Sequence, residues 1–308
     1  MKPGEETAGE NKTLSKVKCG RTMLFSMAFN TYIKDVIVFR NLSAKTEESY
    51  IYAKKSFIKA FGDIEIDTLT FNHVRDWQKK NKSISQNTLR GYICCLRQVL
   101  SHLQALKVKC ISPDLIPVPK REAVAVQYYT KQEIAKVIYS IKRKQGCTKA
   151  NLVRNKLIIA LLYSTGLRVN ELCNLNVRDV MEDTISIIGK GNKPRICFID
   201  CRSRKLIDCY LELRTDSQPW LLMGSKGRRM TTGDVRHLFD RLRKCTEFKT
   251  IHPHAIRHSY ATNLLENGAH IFMLKELMGH SSISSTAIYL HVKNPELKQA
   301  YSKYHTIK

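Results

Sequence analysis

The stretch Thr184–Ile199, TISIIGKGNKPRICFI, is where the period of the chain changes. On either side apolar residues recur every three or four positions. Within it they alternate about a Gly/Asn/Lys/Pro centre, the pattern of a two-stranded hairpin with a basic tip. One hairpin among helices predicts a mainly α fold with a small antiparallel β-sheet. There is no internal repeat and no alternating βα pattern that would build a doubly wound sheet.

Upstream, RNKLIIALLYSTGLRVNELCNL reads as two helices interrupted near Ser164–Gly166, and Thr130 with Glu133 forms a capping-box pattern ahead of KQEIAKVIYSIKRK. Downstream, TTGDVRHLFDRLRKC, HPHAIRHSYATNLLENG and IFMLKELMG read as helices. Pro253 suits the first turn of its helix, Ile256, Tyr260 and Leu264 recur every four residues, and Gly268 supplies the stop.

Further upstream, ISPDLIPVPKREAVAVQYYT (Ile111–Thr130) places three prolines in seven positions, a linker signature. Before it come four helical patterns: FNTYIKDVIVF, KTEESYIYAKKSFIKAF with Thr46 as the expected cap, FNHVRDWQKK and SQNTLRGYICCLRQVLSHLQAL. The expected organisation is a polar, flexible extension over residues 1–22, a helical unit over 23–112, a linker over 113–129, and a second domain over 130–308 ending in a tail from about residue 290.

With 52 Lys plus Arg against 27 Asp plus Glu in 308 residues, the chain carries a formal charge of +25, which favours a polyanionic partner. The first helical unit shares the excess, with 14 basic against 7 acidic residues between Phe25 and Ser112. Lys79, Lys80, Lys82 and Arg90 flank the turn before the fourth helix and are candidates for phosphate contact; a solvated helical surface is the alternative. No apolar run reaches the roughly 18 residues of a membrane span, and Met1–Gly20 lacks an apolar signal core, so a cytoplasmic protein is expected. The ten cysteines fit no zinc-module spacing and read as reduced thiols.

Chemistry concentrates in four places. His254 and Arg257 lie three apart at a helix start and can face one solvent cleft. Arg168 follows a Gly166 turn, with Leu167, Leu172 and Leu175 as anchors. Two arginines from separate segments can grip a phosphate and stabilise charge that develops on it. Lys190 sits at the hairpin tip in GKGNKPR, where an ammonium can protonate a leaving oxygen; Lys193 and Arg195 beside it can contact a nucleic-acid backbone. Tyr289 ends the stretch GHSSISSTAIY, in which Gly279 closes a helix, His280 opens a loop and Ser284–Thr286 restart a helical turn. By itself a tyrosine such as Tyr289 is more often a core or surface aromatic than a nucleophile. His252, His254 and His258 can be read as metal ligands, but no Cys, Asp or Glu in the same segment completes a site, so no metal is expected.

Taken together, GLRVNELCNL, GKGNKPR, HPHAIRHSYATNLLENG and MGHSSISSTAIYLHV resemble the catalytic domain of the tyrosine site-specific recombinases, the phage integrase and Xer recombinase family. The resemblance covers roughly Tyr128–Val292, and the preceding helices look more loosely like the family's SAM-like core-binding domain. It implies six catalytic residues, Arg168, Lys190, His254, Arg257, His280 and Tyr289, the last as nucleophile. It also implies double-stranded DNA as partner, a homo-tetramer assembled on DNA, and no cofactor. A C-terminal tail, His291–Lys308, would be exchanged between protomers, with Leu297, Ala300 and Tyr301 as its apolar face. Three other readings stay open: a DNA-binding regulator that has kept the fold, a type IB topoisomerase with the same tyrosine chemistry, and a histidine metallohydrolase.

Overall fold

A computed structural model describes residues 23–40, 42–122, 127–142, 148–188 and 194–279 of the chain, which divides into two units, Met1–Val124 and Ala125–Lys308. Among the described residues there are eleven α-helices and one two-stranded antiparallel sheet, as the change of period at Thr184 predicts. None of these helices is long and apolar enough to cross a membrane.

The first unit holds α1 (Phe25–Tyr32), α2 (Ala44–Phe61), α3 (Phe71–Lys80) and α4 (Gln86–Ala105). Its core is aromatic at one end. Phe25, Phe29, Phe57 and Trp77 are fully buried, and the Phe57 and Trp77 ring centroids lie 4.4 Å apart. Such pairs contribute roughly 0.5–1.5 kcal/mol beyond the area they bury. Trp77 keeps its indole N–H satisfied on the Ser56 hydroxyl at 3.0 Å, so the ring is buried without an orphaned donor.

Two local expectations are corrected here. The cap of α2 is Ser43, whose Oγ accepts from the Thr46 amide at 3.3 Å; Thr46 is already in the first turn. The first helical pattern is also not one α-helix, because Ile33–Val38 continues α1 with π-helical bonding.

The proline stretch read as a linker is not a free tether. Ile116 is fully buried in the first unit's core, and Arg97 on α4 donates to its carbonyl at 2.6 Å and to the Asp114 carboxylate at 2.9 Å. At its other end, Tyr129 belongs to the core of the second unit, and its amide donates to the Ser259 hydroxyl at 2.7 Å.

The second unit contains α5 (Lys131–Ser140), α6 (Lys149–Thr165), α7 (Val169–Asn174), β1 (Thr184–Ile188), β2 (Pro194–Phe198), α8 (Cys201–Glu212), α9 (Thr232–Cys245), α10 (Pro253–Glu266) and α11 (Ile271–Met278). Thr130 and Glu133 form the expected capping box on α5. Helix α6 is the central pillar: Leu157 to Leu162 are all buried, so it shows apolar side chains on every face and is packed by α8 and α10. It stops at Gly166, whose φ of 62° is the left-handed conformation that suits glycine. In the hairpin, Ile185 pairs with Cys197 and Ile187 with Arg195, and these four residues share the inward face. Cys173 and Cys197 are buried thiols, and burial pushes Cys173 up to about 11.

Candidate active site

The short turn Gly166–Leu167–Arg168 delivers the first arginine. Leu167 is buried, as are Leu172 and Leu175, so the turn is pinned from below. Gly166 is required twice over: its φ is left-handed, and a Cβ there would stand 2.4 Å from the Tyr260 ring carbon Cδ1. Arg168 caps α7, and its side chain is one-third exposed at 33%.

Glu171 holds that arginine in place. One carboxylate oxygen accepts from the Arg168 backbone amide at 2.8 Å, and the other accepts from its Nη1, also at 2.8 Å. The same carboxylate accepts from Arg195 Nη2 at 2.9 Å. Glu171 was missed in the sequence, although an acid three residues after Arg168, at the start of a helix, is the recognisable first-turn signal.

Arg257 projects from α10 into the unit and is 5% exposed. Its Nη1 donates to the Gly166 carbonyl and its Nη2 to the Met278 carbonyl at 2.8 Å. The turn that carries Arg168, the helix that carries Arg257 and the end of α11 are thereby tied together. Met278 is followed by Gly279, a left-handed residue at φ 59°, and then by His280 in the sequence.

His254 is on the same helix but exposed. Three residues on, Arg257 is far less exposed than His254, so the two differ in how much of each side chain reaches solvent. His252 has a structural task, since its Nδ1 accepts from the Ala255 amide at 3.1 Å and caps α10. Burial, then the charges of His254 and Arg243, lowers its pKa. His258, one turn after His254, is lowered to about 4, first by burial and then by His254, His252 and Arg257. A neutral imidazole at His258 adds no charge beside Arg257.

Two of the candidate phosphate contacts are turned inward. Arg195, read as a tip residue, has a side chain only 12% exposed and donates to Glu171 and to the Met278 carbonyl. Arg90 is half-buried and donates to the Pro119 carbonyl at 2.6 Å. In both cases a guanidinium drawn at least partly out of water has found internal acceptors, because leaving it unpaired is costly. Lys79 and Lys80 are exposed in the last turn of α3 and Lys82 is exposed between α3 and α4; Lys79 stands 3.5 Å from Asp76, and Lys80 donates to the Ala60 carbonyl at 3.0 Å. Lys190, Lys193, His280, Tyr289 and the whole tail lie outside the described residues.

Residues 127–296 match the Phage integrase family, a span that contains all six residues of the expected constellation. The chain is similar to tyrosine recombinase XerC of Staphylococcus aureus (strain USA300 / TCH1516), with 28% identity over 289 residues covering 90% of this chain and 95% of that protein. Among solved structures it is similar to the Tn1549 transposon integrase in complex with circular intermediate DNA, with 21% identity, a TM-score of 0.73, and coverage of 91% of this chain and 99% of that one. It is also similar to the XerH site-specific recombinase bound to palindromic difH substrate, with 21% identity, a TM-score of 0.70, and coverage of 92% and 85%.

Proposed function

Because this chain belongs to the phage integrase family and is a tyrosine site-specific recombinase, we propose that it cuts and rejoins double-stranded DNA through Tyr289, in the service of a mobile element's integration and excision. One observation carries the reading. Arg257 donates to the carbonyl of Gly166, two residues before Arg168, while Glu171 fixes Arg168 itself. Two cations from distant segments are held in one preorganised group, as a scissile phosphate requires.

The chemistry follows from the residue types. The Tyr289 oxygen attacks phosphorus, the phenolic proton leaves with help from His254, and the bond from phosphorus to the 5' oxygen breaks. Lys190 supplies a proton to that oxygen, so the products are a 3'-phosphotyrosine and a free 5' hydroxyl. Arg168 and Arg257 clamp the non-bridging oxygens, and His280 orients them by a hydrogen bond. The 5' hydroxyl of a second strand then attacks the phosphotyrosine and releases the tyrosine. One phosphodiester is exchanged for another, so bond energy is conserved and no nucleotide is consumed.

The XerH and transposon integrase structures contain DNA, and the same partner class suits a chain of charge +25. Strand exchange at two sites calls for four protomers, and the tail after Tyr289 is the segment we assign to contact between neighbours. The amino-terminal helical unit would grip the duplex through Lys79, Lys80 and Lys82, with Lys193 adding a contact from the catalytic unit. Likeness to XerC over 90% of the chain favours dimer resolution as the second reading.

The test is exchange itself. Duplexes retained by the protein from a random pool are placed as direct repeats on a supercoiled plasmid, and the wild type is expected to resolve it into two circles. Relaxation without resolution would mark a topoisomerase instead. Exchange between two unlike sites supports integration, and exchange restricted to identical sites supports dimer resolution.

A further inference from the structure

Arg195 stands on the inward face of β2, in register with Ile187, where the alternation of the hairpin leaves room for an apolar side chain. A guanidinium there must be matched by internal acceptors, and its two terminal nitrogens are, although Nε is buried without one among the described residues. Nη2 donates to Glu171 at 2.9 Å, and Nη1 donates to the Met278 carbonyl. Each acceptor is shared with a proposed catalytic arginine: Glu171 also holds Arg168, and the Met278 carbonyl also accepts from Arg257 at 2.8 Å.

The close fit extends to Gly279. A Cβ on that residue would lie 2.0 Å from Arg195 Nη1 and 3.0 Å from its Cδ and Cζ, so the backbone after α11 is moulded on this side chain. Arg195 also anchors the strand that follows the segment carrying Lys190, five residues earlier, and it binds the carbonyl two residues before His280.

We propose that Arg195 is a positioning residue of the cutting reaction: its fork joins the Arg168 turn, the end of α11 and the hairpin strand, so that the proton donor and the phosphate clamps are held in one register. The inference rests on the reading of Lys190 as the proton donor to the leaving 5' oxygen. The planar fork is essential to it, because a lysine ammonium cannot span two acceptors set apart in this way.

The full chain is tested on two nicked duplexes that carry its cleavage site, one with the ordinary scissile phosphodiester and one with sulfur replacing the 5' bridging oxygen. A thiolate departs without a proton, so the second duplex does not need the donor. Arg195→Ala and Arg195→Lys are expected to bind the ordinary duplex like the wild type, yet form the covalent adduct roughly 100-fold more slowly, the scale of a misplaced catalytic group. On the sulfur duplex that deficit is expected to shrink.

Gly279→Ala is expected to slow the adduct in the wild-type background and to cost markedly less in the Arg195→Ala background, since the side chain it collides with is gone. Adduct formation by Arg195→Lys at the wild-type rate, or an equal deficit on both duplexes, would overturn the proposal. Loss of DNA binding in parallel with the rate would do the same, as it would show a merely structural role. If the wild type itself forms no adduct on either duplex, the recombinase reading fails first, and separately.

Discussion

His258 illustrates how far a site can be tuned by a residue that takes no part in the chemistry. An unfolded histidine takes its proton near pH 6.5, but His258 in the folded unit resists until about 4 because burial, and then neighbouring His254, His252 and Arg257, oppose a further charge. Between those values the unfolded chain holds the extra proton, so stability falls as pH falls from 6.5 toward 4 and does not depend on this group above that window. The imidazole resonance of His258 is expected to titrate near pH 4, and His258→Gln is expected to flatten the acid side of the thermal stability profile. A midpoint near 6.5 would contradict the assignment. That His252 and His258 lie at the amino-terminal end of a helix was legible in the sequence, from Pro253 in its first turn. That His252 caps α10 was not, because Nδ1 capping needs an extended backbone at that residue, which the pattern of apolar positions does not report. Glu171 was missed for a related reason: its value lies in two arginines 27 residues apart in the sequence, Arg168 and Arg195, meeting one carboxylate.

The hairpin, the interruption at Gly166 and every described helix but α8 (Cys201–Glu212) follow from the patterns of the sequence; α8 was not read there. The errors at this scale have physical causes. Arg195 was grouped with the basic tip because it follows GKGNKP, yet period-two counting from buried Ile185, Ile187 and Cys197 places it on the inward face. Ser43 rather than Thr46 caps α2, since both offer a hydroxyl and only the path of the backbone chooses between them. The π-helical turn at Ile33–Val38 leaves no pattern in six residues that an α-helix would not. The proline stretch reads as a linker in the sequence, and its packing on α4 was not legible there. Ile116 is covered by α4 and held there by Arg97, which makes two hydrogen bonds to it and to Asp114. Arg97→Ala is expected to release it. With charged hydrogen bonds worth about 1.5–3 kcal/mol, trypsin should cut after Lys120 and Arg121 roughly 10- to 100-fold faster while the helical signal is unchanged. An unaltered digestion rate would show that burial of Ile116 alone secures the segment.

The whole molecule is a basic chain of two units whose proposed catalytic residues are spread along the sequence from Arg168 to Tyr289. Its charge explains attraction to a polyanion but not the reaction; the reaction is argued from a tyrosine, two arginines, two histidines and a lysine that acquire meaning only together. The structure shows how two of that set are held: Glu171 accepts from Arg168, the Gly166 and Met278 carbonyls accept from Arg257, and Arg195 shares Glu171 and the Met278 carbonyl with them. The most direct measurement is therefore covalent trapping. Wild-type protein incubated with a nicked duplex carrying its site, then denatured and digested, should yield a peptide joined through Tyr289 to a 3' phosphate, with a free 5' hydroxyl on the other strand end. Tyr289→Phe should bind the duplex and yield no adduct and no cleavage. DNA cleavage that persists in Tyr289→Phe, or an adduct that maps to another residue, would contradict the account.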